Sequence, residues 1–301
     1  MINCFRNAVD LVLNPFLPIR NPLVAGKEIT LGKLEGQVAF ITGAARGQGR
    51  SHAVRLAREG ADIIAVDICS QISSVSYPMS TPADLAQTVK EVESQGRRIV
   101  ARQADVRDVE GLRSALEEGI AELGVPQIVL ANAGIGVGGP NSSDQDWHDV
   151  IAVNLTGVWN TGRIAIPAMI EADRGGSIVI TSSTAGLLGV ATNETGLLGY
   201  TVAKTGVVGL MRSWANYLGP HNIRVNCIAP TAVRTPMAAN LSISALFEVN
   251  PALARAMSNS LPVEMVEAID ISNAIAWLVS EEGRYVSGTV LPVDAGSLNR
   301  R

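Results

Sequence analysis

The sequence predicts an α/β fold: a doubly wound parallel sheet of about seven strands with helices on both faces. Three observations predict it. Short apolar runs alternate with segments of helical period from residue 38 almost to the C-terminus, and that alternation closes as a parallel sheet with right-handed crossovers. A glycine-rich turn stands between the first strand and the first helix. The 301 residues are 47% apolar and 17% charged, which fills one large core and excludes a disordered chain.

The elements follow in order. Val38–Thr42 is a short apolar run that ends at glycine, the mark of a strand buried on both faces. Gln48–Gly60 carries Val54, Leu56 and Ala57 at helical spacing and stops at Gly60. Asp62–Asp67 is the second strand, Pro82–Gly96 a helix, Ile99–Gln103 a strand and Val109–Leu123 a helix. Ile128–Ala131 is the fourth strand. Trp147–Ala172 reads as one long helix and Ser177–Thr181 as the fifth strand. Gly199–Gly219 is helical, Ile223–Ile228 the sixth strand, Met265–Ser280 the final helix and Val290–Val293 the last strand. In such sheets ligands bind beyond the carboxyl ends of the strands, at the switch point.

Composition narrows the function. Basic residues number 24 and acidic residues 28, a formal charge of −4, which argues against nucleic-acid binding. Cys4, Cys69 and Cys227 are odd in number and far apart, with no CxxC, so neither a disulfide framework nor a zinc site is expected. His52, His148 and His221 are scattered too, and no metal is expected. The setting this implies is a reducing cytoplasm. Residues 1–35 read as an N-terminal extension of unassigned role, ahead of a single domain over 36–301. Its apolar residues are broken by Asn14, Pro15 and Pro18 and fall short of the ~20 that a membrane span needs.

The turn Thr42-Gly43-Ala44-Ala45-Arg46-Gly47-Gln48-Gly49 carries the first chemical signal. Glycines let the backbone approach a pyrophosphate, and the helix start that follows offers free N–H groups. Asp67 closes strand two, 18 residues after Gly49. A carboxylate there accepts ribose hydroxyls and repels a 2′-phosphate, which points to NAD over NADP. Arg46 is the group in the turn that could meet a phosphate. Tyr200 and Lys204 form a second signal: at i and i+4 they share a helix face, and an ammonium beside a phenol lowers its pKa toward use as a general base.

The spacing Thr-Gly-x3-Gly-x-Gly, then Asp105-Val106, Asn132-Ala133-Gly134, Asn154, Ser182-Ser183, Tyr200-x-x-x-Lys204, Pro230, Thr235 and Val293-Asp294-Ala295-Gly296 occur in the order of the short-chain dehydrogenase/reductase family. The chain resembles that family over roughly residues 36–297. The resemblance implies a Rossmann fold, an oxidoreductase and a homotetramer built on the helices Trp147–Ala172 and Gly199–Gly219. It makes Asn154, Ser183, Tyr200 and Lys204 the catalytic set, with Ser182 the alternative to Ser183. Ser183 would hold the substrate oxygen, Tyr200 would move its proton, Lys204 would tune Tyr200 and bind the nicotinamide ribose, and Asn154 would bind a water leading to solvent. The cofactor-binding set is Gly43, Ala45, Arg46, Gly47, Gln48, Gly49, Asp67, Ile68, Asp105, Val106, Asn132, Ala133, Gly134, Tyr200, Lys204, Pro230, Val233 and Thr235.

Two departures narrow the resemblance. Ile68–Thr81 is an insertion after strand two, placed where it could fold over the adenosine half of the cofactor. With Tyr77-Pro78-Met79-Ser80-Thr81-Pro82 it resembles the mycofactocin-dependent, carveol dehydrogenase-like members. These imply a poorly exchanging NAD reoxidised by a second carrier. Thr231 replaces the glycine of the family's Pro-Gly, which would stiffen the loop at Val233. A segment at about 236–262 is the expected substrate lid; Met237, Leu241, Ile243, Leu246, Phe247, Val249, Leu253 and Met257 make it apolar. Leu187, Leu188, Val190, Leu197 and Leu198 face it, so a hydrophobic alcohol or ketone fits. The alternatives are an ordinary NAD(P)H-exchanging ketone reductase and a non-catalytic NAD sensor.

Overall fold

Why the sheet is buried on both faces is visible in its first strand. In the computed structural model, which describes residues 32–137, 143–190, 192–240 and 258–299, β1 is Val38–Thr42. Val38 and Phe40 point into one apolar cluster, Ala39 and Ile41 into the other, as the two-residue period of a strand requires. The remaining strands are β2 (Asp62–Asp67), β3 (Ile99–Gln103), β4 (Ile128–Ala131), β5 (Gly176–Thr181), β6 (Ile223–Pro230) and β7 (Val290–Val293). All pair in parallel, in the order β3-β2-β1-β4-β5-β6-β7. The chain winds one way from β1 and the other way from β4, so the switch point lies between those two strands.

The helices are α1 (Gly47–Arg58), α2 (Pro82–Glu93), α3 (Val109–Leu123), α4 (Asp144–Ile151), α5 (Gly157–Ala172), α6 (Ala185–Leu188), α7 (Thr195–Leu218), α8 (Pro236–Asn240) and α9 (Ala268–Val279). Local chemistry sets several starts. Thr81 and Asp84 form a capping box ahead of α2, with Pro82 at its first position, and Asp108 accepts the Glu110 and Gly111 N–H groups ahead of α3. By contrast α1 has Arg46 at its N-cap with no side-chain cap, which leaves its first N–H groups for a ligand.

The single helix expected over Trp147–Ala172 is interrupted. It starts at Asp144, and Ala152–Thr156 forms a π turn between α4 and α5. Asn154, in that turn, is fully buried and bonds across to the loop after β4. Helical periodicity cannot distinguish such a turn from α-helix, since both keep the apolar face inward. Pro167 sits inside α5.

Every described residue belongs to one compact unit, Leu31–Arg301. Of the extension expected at 1–35, residues 1–31 lie outside the described residues. Leu34 is fully buried, and its N–H bonds the Glu59 carbonyl at 2.8 Å.

The insertion after β2 is folded into the core instead of lying on the surface. Ile72, Val75 and Tyr77 are buried in the same cluster as Val106, Ile135 and Val153. Gln71 ties the loop together: its amide N–H groups bond the carbonyls of Ile72, Val75 and Tyr77, and its Oε1 accepts the Met79 N–H. Ser74 Oγ donates to Asp149 Oδ2 at 2.7 Å. Of the expected lid at about 236–262, residues 241–257, and with them its apolar residues Leu241 to Met257, lie outside the described residues.

Candidate active site

An open cleft runs along the carboxyl ends of β1, β2 and β4. Gly43, Arg46, Gly47, Gln48 and Gly49 line one wall. Here glycine is required by contact. A Cβ on Gly49 would stand 1.9 Å from the Gly43 carbonyl oxygen, and one on Gly43 would stand 2.8 Å from Ala133 Cα. The turn therefore packs on the loop after β4, where Asn132 Nδ2 bonds the Thr42 carbonyl at 3.0 Å and Thr42 Oγ1 accepts the Asn132 and Ala133 N–H groups. Gln48 Oε1 is buried without a hydrogen-bond partner among the described residues.

Asp67 and Ile68 line the next stretch. The Asp67 carboxylate is 7% exposed and is held from three sides. Ala45 N–H reaches Oδ2 at 2.9 Å, while Cys69 N–H at 3.2 Å and the Ser80 hydroxyl at 2.5 Å reach Oδ1. Ala45 thus stands behind the carboxylate and not in the cleft wall. Asp105 and Val106 line the far end; Arg107 fixes the Asp105 carboxylate and Asn160 Nδ2 holds the Val106 carbonyl. Asn132, Ala133 and Gly134 floor the cleft, and Thr235 closes it beside Pro236 and Met237. Pro230 and Val233 sit deeper. The Pro230 carbonyl accepts the Thr184 N–H, and Val233 is buried in a bridge to Val266. Thr231, the departure from glycine, donates its hydroxyl to Asn259 Oδ1 at 2.9 Å.

The structure brings Ser183, Tyr200 and Lys204 together at the end of β5 and on α7. The Tyr200 hydroxyl lies beside the Ser183 side chain. Ser183 Oγ also accepts the Ala185 N–H at 3.2 Å, whereas Ser182 is buried and donates to the Lys204 carbonyl at 2.8 Å. Of the two serines, Ser183 is the one beside Tyr200. Lys204 Nζ lies 5.6 Å from the Tyr200 ring centre and donates to the Thr181 carbonyl at 2.8 Å.

The electrostatics correct one sequence expectation. Burial pushes the Tyr200 phenol above its ordinary value, outweighing the lowering by the Ser183 side chain. Burial also brings Lys204 down to about 8. In the protein alone, desolvation of the phenolate is the largest influence on Tyr200, and neighbouring Tyr77 adds to it.

The Asn154 side chain is committed to the loop after β4. Its Oδ1 accepts the Ile135 N–H and its Nδ2 donates to the Ile135 carbonyl, each at 2.8 Å. Both ends of the carboxamide hold the cleft floor beside Lys204; a Cβ on Gly134 would stand 3.3 Å from Asn154 Oδ1 and 3.6 Å from Lys204 Nζ.

Sequence reasoning missed Ile72, Tyr77, Met79 and Ser80 from the insertion, and Ile135 and Val153, all of which line the cleft. Tyr77 is the most consequential of them, and its Oη accepts the Gly136 N–H at 3.2 Å. The available signal was apolar Ile72, Val75 and Tyr77 inside an otherwise polar loop. Among the described residues no cluster of His, Cys, Asp and Glu is arranged to hold a metal, and no helix is long and apolar enough to cross a membrane.

Residues 43–297 match a family model described as enoyl-(acyl carrier protein) reductase. An oxidoreductase of Mycobacterium tuberculosis is 57% identical over 269 residues, 89% of this chain and 98% of that one. The (−)-trans-carveol dehydrogenase of Rhodococcus erythropolis is 47% identical over 279 residues, 89% of this chain and 99% of that one. The chain belongs to the short-chain dehydrogenase/reductase family. As a short-chain dehydrogenase/reductase it is an oxidoreductase. Its fold matches the crystal structure of carveol dehydrogenase from Mycobacterium avium in complex with NAD. The TM-score is 0.83 at 51% identity, covering 89% of this chain and 99% of that one.

Proposed function

We propose that this short-chain dehydrogenase/reductase uses NAD to interconvert a hydrophobic secondary alcohol and its ketone, a terpenoid or alicyclic compound of the carveol kind. The observation that carries the reading is the pairing of the Ser183–Tyr200–Lys204 group with a cleft whose ribose end is a buried carboxylate, Asp67. The residues present fit a dinucleotide: the glycine turn has no room for side chains, and the N-terminus of α1 is uncapped. Asp67 opposes a 2′-phosphate, so NAD is the cofactor.

When bound, NAD supplies the hydride acceptor. Tyr200 takes the alcohol proton while the C–H hydride leaves, and the product is the ketone. Ser183 holds the reacting oxygen beside Tyr200. Lys204 binds the nicotinamide ribose and offsets phenolate charge, and Asn154 keeps the floor in place through Ile135. Leu187, Leu188 and Leu198 are exposed apolar side chains flanking this group and suit an apolar substrate. Met237, at the cleft edge, belongs to the segment at about 236–262 that we read as the substrate lid.

The insertion over 68–81 lines the cleft from Asp67 to Gly136. It slows NAD release, as in mycofactocin-dependent members, so a second redox carrier of the mycofactocin type reoxidises the cofactor in place. The protein works in the cytoplasm as a homotetramer on α4–α5 and α7, where Trp159, Val202 and Tyr217 are exposed. Residues 1–35 are an extension to this single domain.

The test begins with protein purified without added cofactor, dialysed extensively, denatured, and analysed for released nucleotide by mass. About one NAD per chain supports the trapped cofactor, and alcohol oxidation is then assayed with an artificial electron acceptor. An empty protein that exchanges NAD freely contradicts trapping and leaves an ordinary dehydrogenase. Absence of turnover on any secondary alcohol or ketone contradicts the reading as a whole.

A further inference from the structure

Tyr77 is 3% exposed and lines the cleft, yet it comes from the insertion and not from any strand end. Its Oη accepts the Gly136 N–H at 3.2 Å. Among the described residues its own O–H proton has no acceptor. Buried phenols normally place that proton in a hydrogen bond, so the group is arranged for something that enters the cleft.

Its position says which part of a ligand it meets. The loop is anchored at the ribose end by Ser80 on Asp67 and crosses to the loop after β4 at Gly136. Tyr77 is within electrostatic reach of Arg46 in the glycine turn on one side and of Tyr200 on the other. The adenosine end, at Asp67, Asp105 and Val106, is already furnished. A dinucleotide running from there to Tyr200 passes Tyr77 with its second phosphate, its second ribose and its carboxamide, all of which carry hydrogen-bond acceptors.

We propose that Tyr77 is a cofactor-holding residue whose hydroxyl donates a hydrogen bond to the nicotinamide half of the bound dinucleotide. This rests on the reading of the cleft as an NAD site. The insertion then grips the cofactor beyond the adenosine, and does so with the same side chain that fixes Gly136 in the cleft floor. Asn154 holds Ile135 and Tyr77 holds Gly136, so two adjacent residues of the floor are set by two separate elements.

The experiment uses the full chain with Tyr77→Phe, which keeps the ring and removes the hydroxyl. Isotope-labelled NAD is bound, chased with excess unlabelled NAD, and its release timed. AMP affinity is measured by calorimetry on protein freed of nucleotide with charcoal. The proposal expects release about tenfold faster in the variant, the effect of one hydrogen bond to a polar or charged ligand group, with AMP affinity unchanged. Equal release rates in the two proteins overturn it. Equal weakening of NAD and AMP overturns it as well, since the loop as a whole has then loosened. A changed Michaelis constant for the alcohol with unchanged NAD release overturns it by assigning the hydroxyl to substrate. Rapid NAD exchange in the wild type sinks only the trapped-cofactor reading, because the ratio of the two release rates is still measured.

Discussion

Replacing Asn154 by alanine removes two 2.8 Å hydrogen bonds at once and leaves the Ile135 N–H and carbonyl facing a vacated, fully buried site. Each buried main-chain group left without a partner costs about 1–3 kcal/mol, so the pair sets an expected loss of about 2–6 kcal/mol. Water entering the vacated volume moves the result toward the lower end. Urea unfolding followed by tryptophan fluorescence, at one fixed protein concentration, reads the change. Turnover should fall with stability, because Ile135 belongs to the floor that also carries Gly134 beside Lys204. Asn154→Asp sharpens the argument. It keeps an acceptor for the Ile135 N–H but turns a second oxygen toward the Ile135 carbonyl, so it should rescue little. A loss under about 1 kcal/mol in Asn154→Ala, with normal turnover, would refute the reasoning and return Asn154 to an ordinary helix position.

Other outcomes follow from the same geometry. Asp67→Asn removes the charge that opposes a 2′-phosphate and should raise the NADP-to-NAD preference about tenfold or more, read from the two dissociation constants; an unchanged ratio would mean that Arg46 or the turn sets the preference. Alcohol oxidation should rise with pH through the neutral and alkaline range, because burial raises Tyr200 and the base form is the minor one there; a flat profile from acid to alkaline pH would contradict the assignment. His52 is fully buried and lowered to about 3, first by desolvation. The unfolded chain protonates near 6.5 and the folded one does not, so this residue's stabilisation is intact above pH 6.5. It drains away as pH falls toward 3, at about 1.4 kcal/mol per pH unit. His52→Gln should flatten that slope in acid unfolding experiments.

The sheet was legible because its strands are buried on both faces and so appear as unbroken apolar runs such as Phe40–Ile41 or Ile63–Val66. Glycine and carboxylate positions were legible for the same kind of reason: Gly49 has no room for a methyl group, and Asp67 ends β2 at the cleft wall. What escaped the sequence depends on pairs distant along the chain. The π turn at Ala152–Thr156 keeps the inward face of a helix, so its period looks ordinary, and the bond from Asn154 to Ile135 spans 19 positions. Tyr77 reaches Gly136 across 59 positions, and a loop with Ser73, Ser74 and Ser76 gives no local hint that its tyrosine enters the core. The direction of the Tyr200 shift was misread because desolvation is a property of the folded surroundings, whereas the Tyr–Lys spacing shows only the ammonium.

The most direct test of the account is a single-turnover experiment on Tyr200→Phe with NAD bound, alongside the wild type. A hydrophobic secondary alcohol such as carveol is mixed with the loaded protein, and NADH formation is followed by its near-ultraviolet absorbance. The account predicts a burst in the wild type and none in the variant, with NAD content unchanged between them. A burst of equal rate and size in Tyr200→Phe would contradict it, since the proton would then leave the alcohol by a route that does not include this phenol.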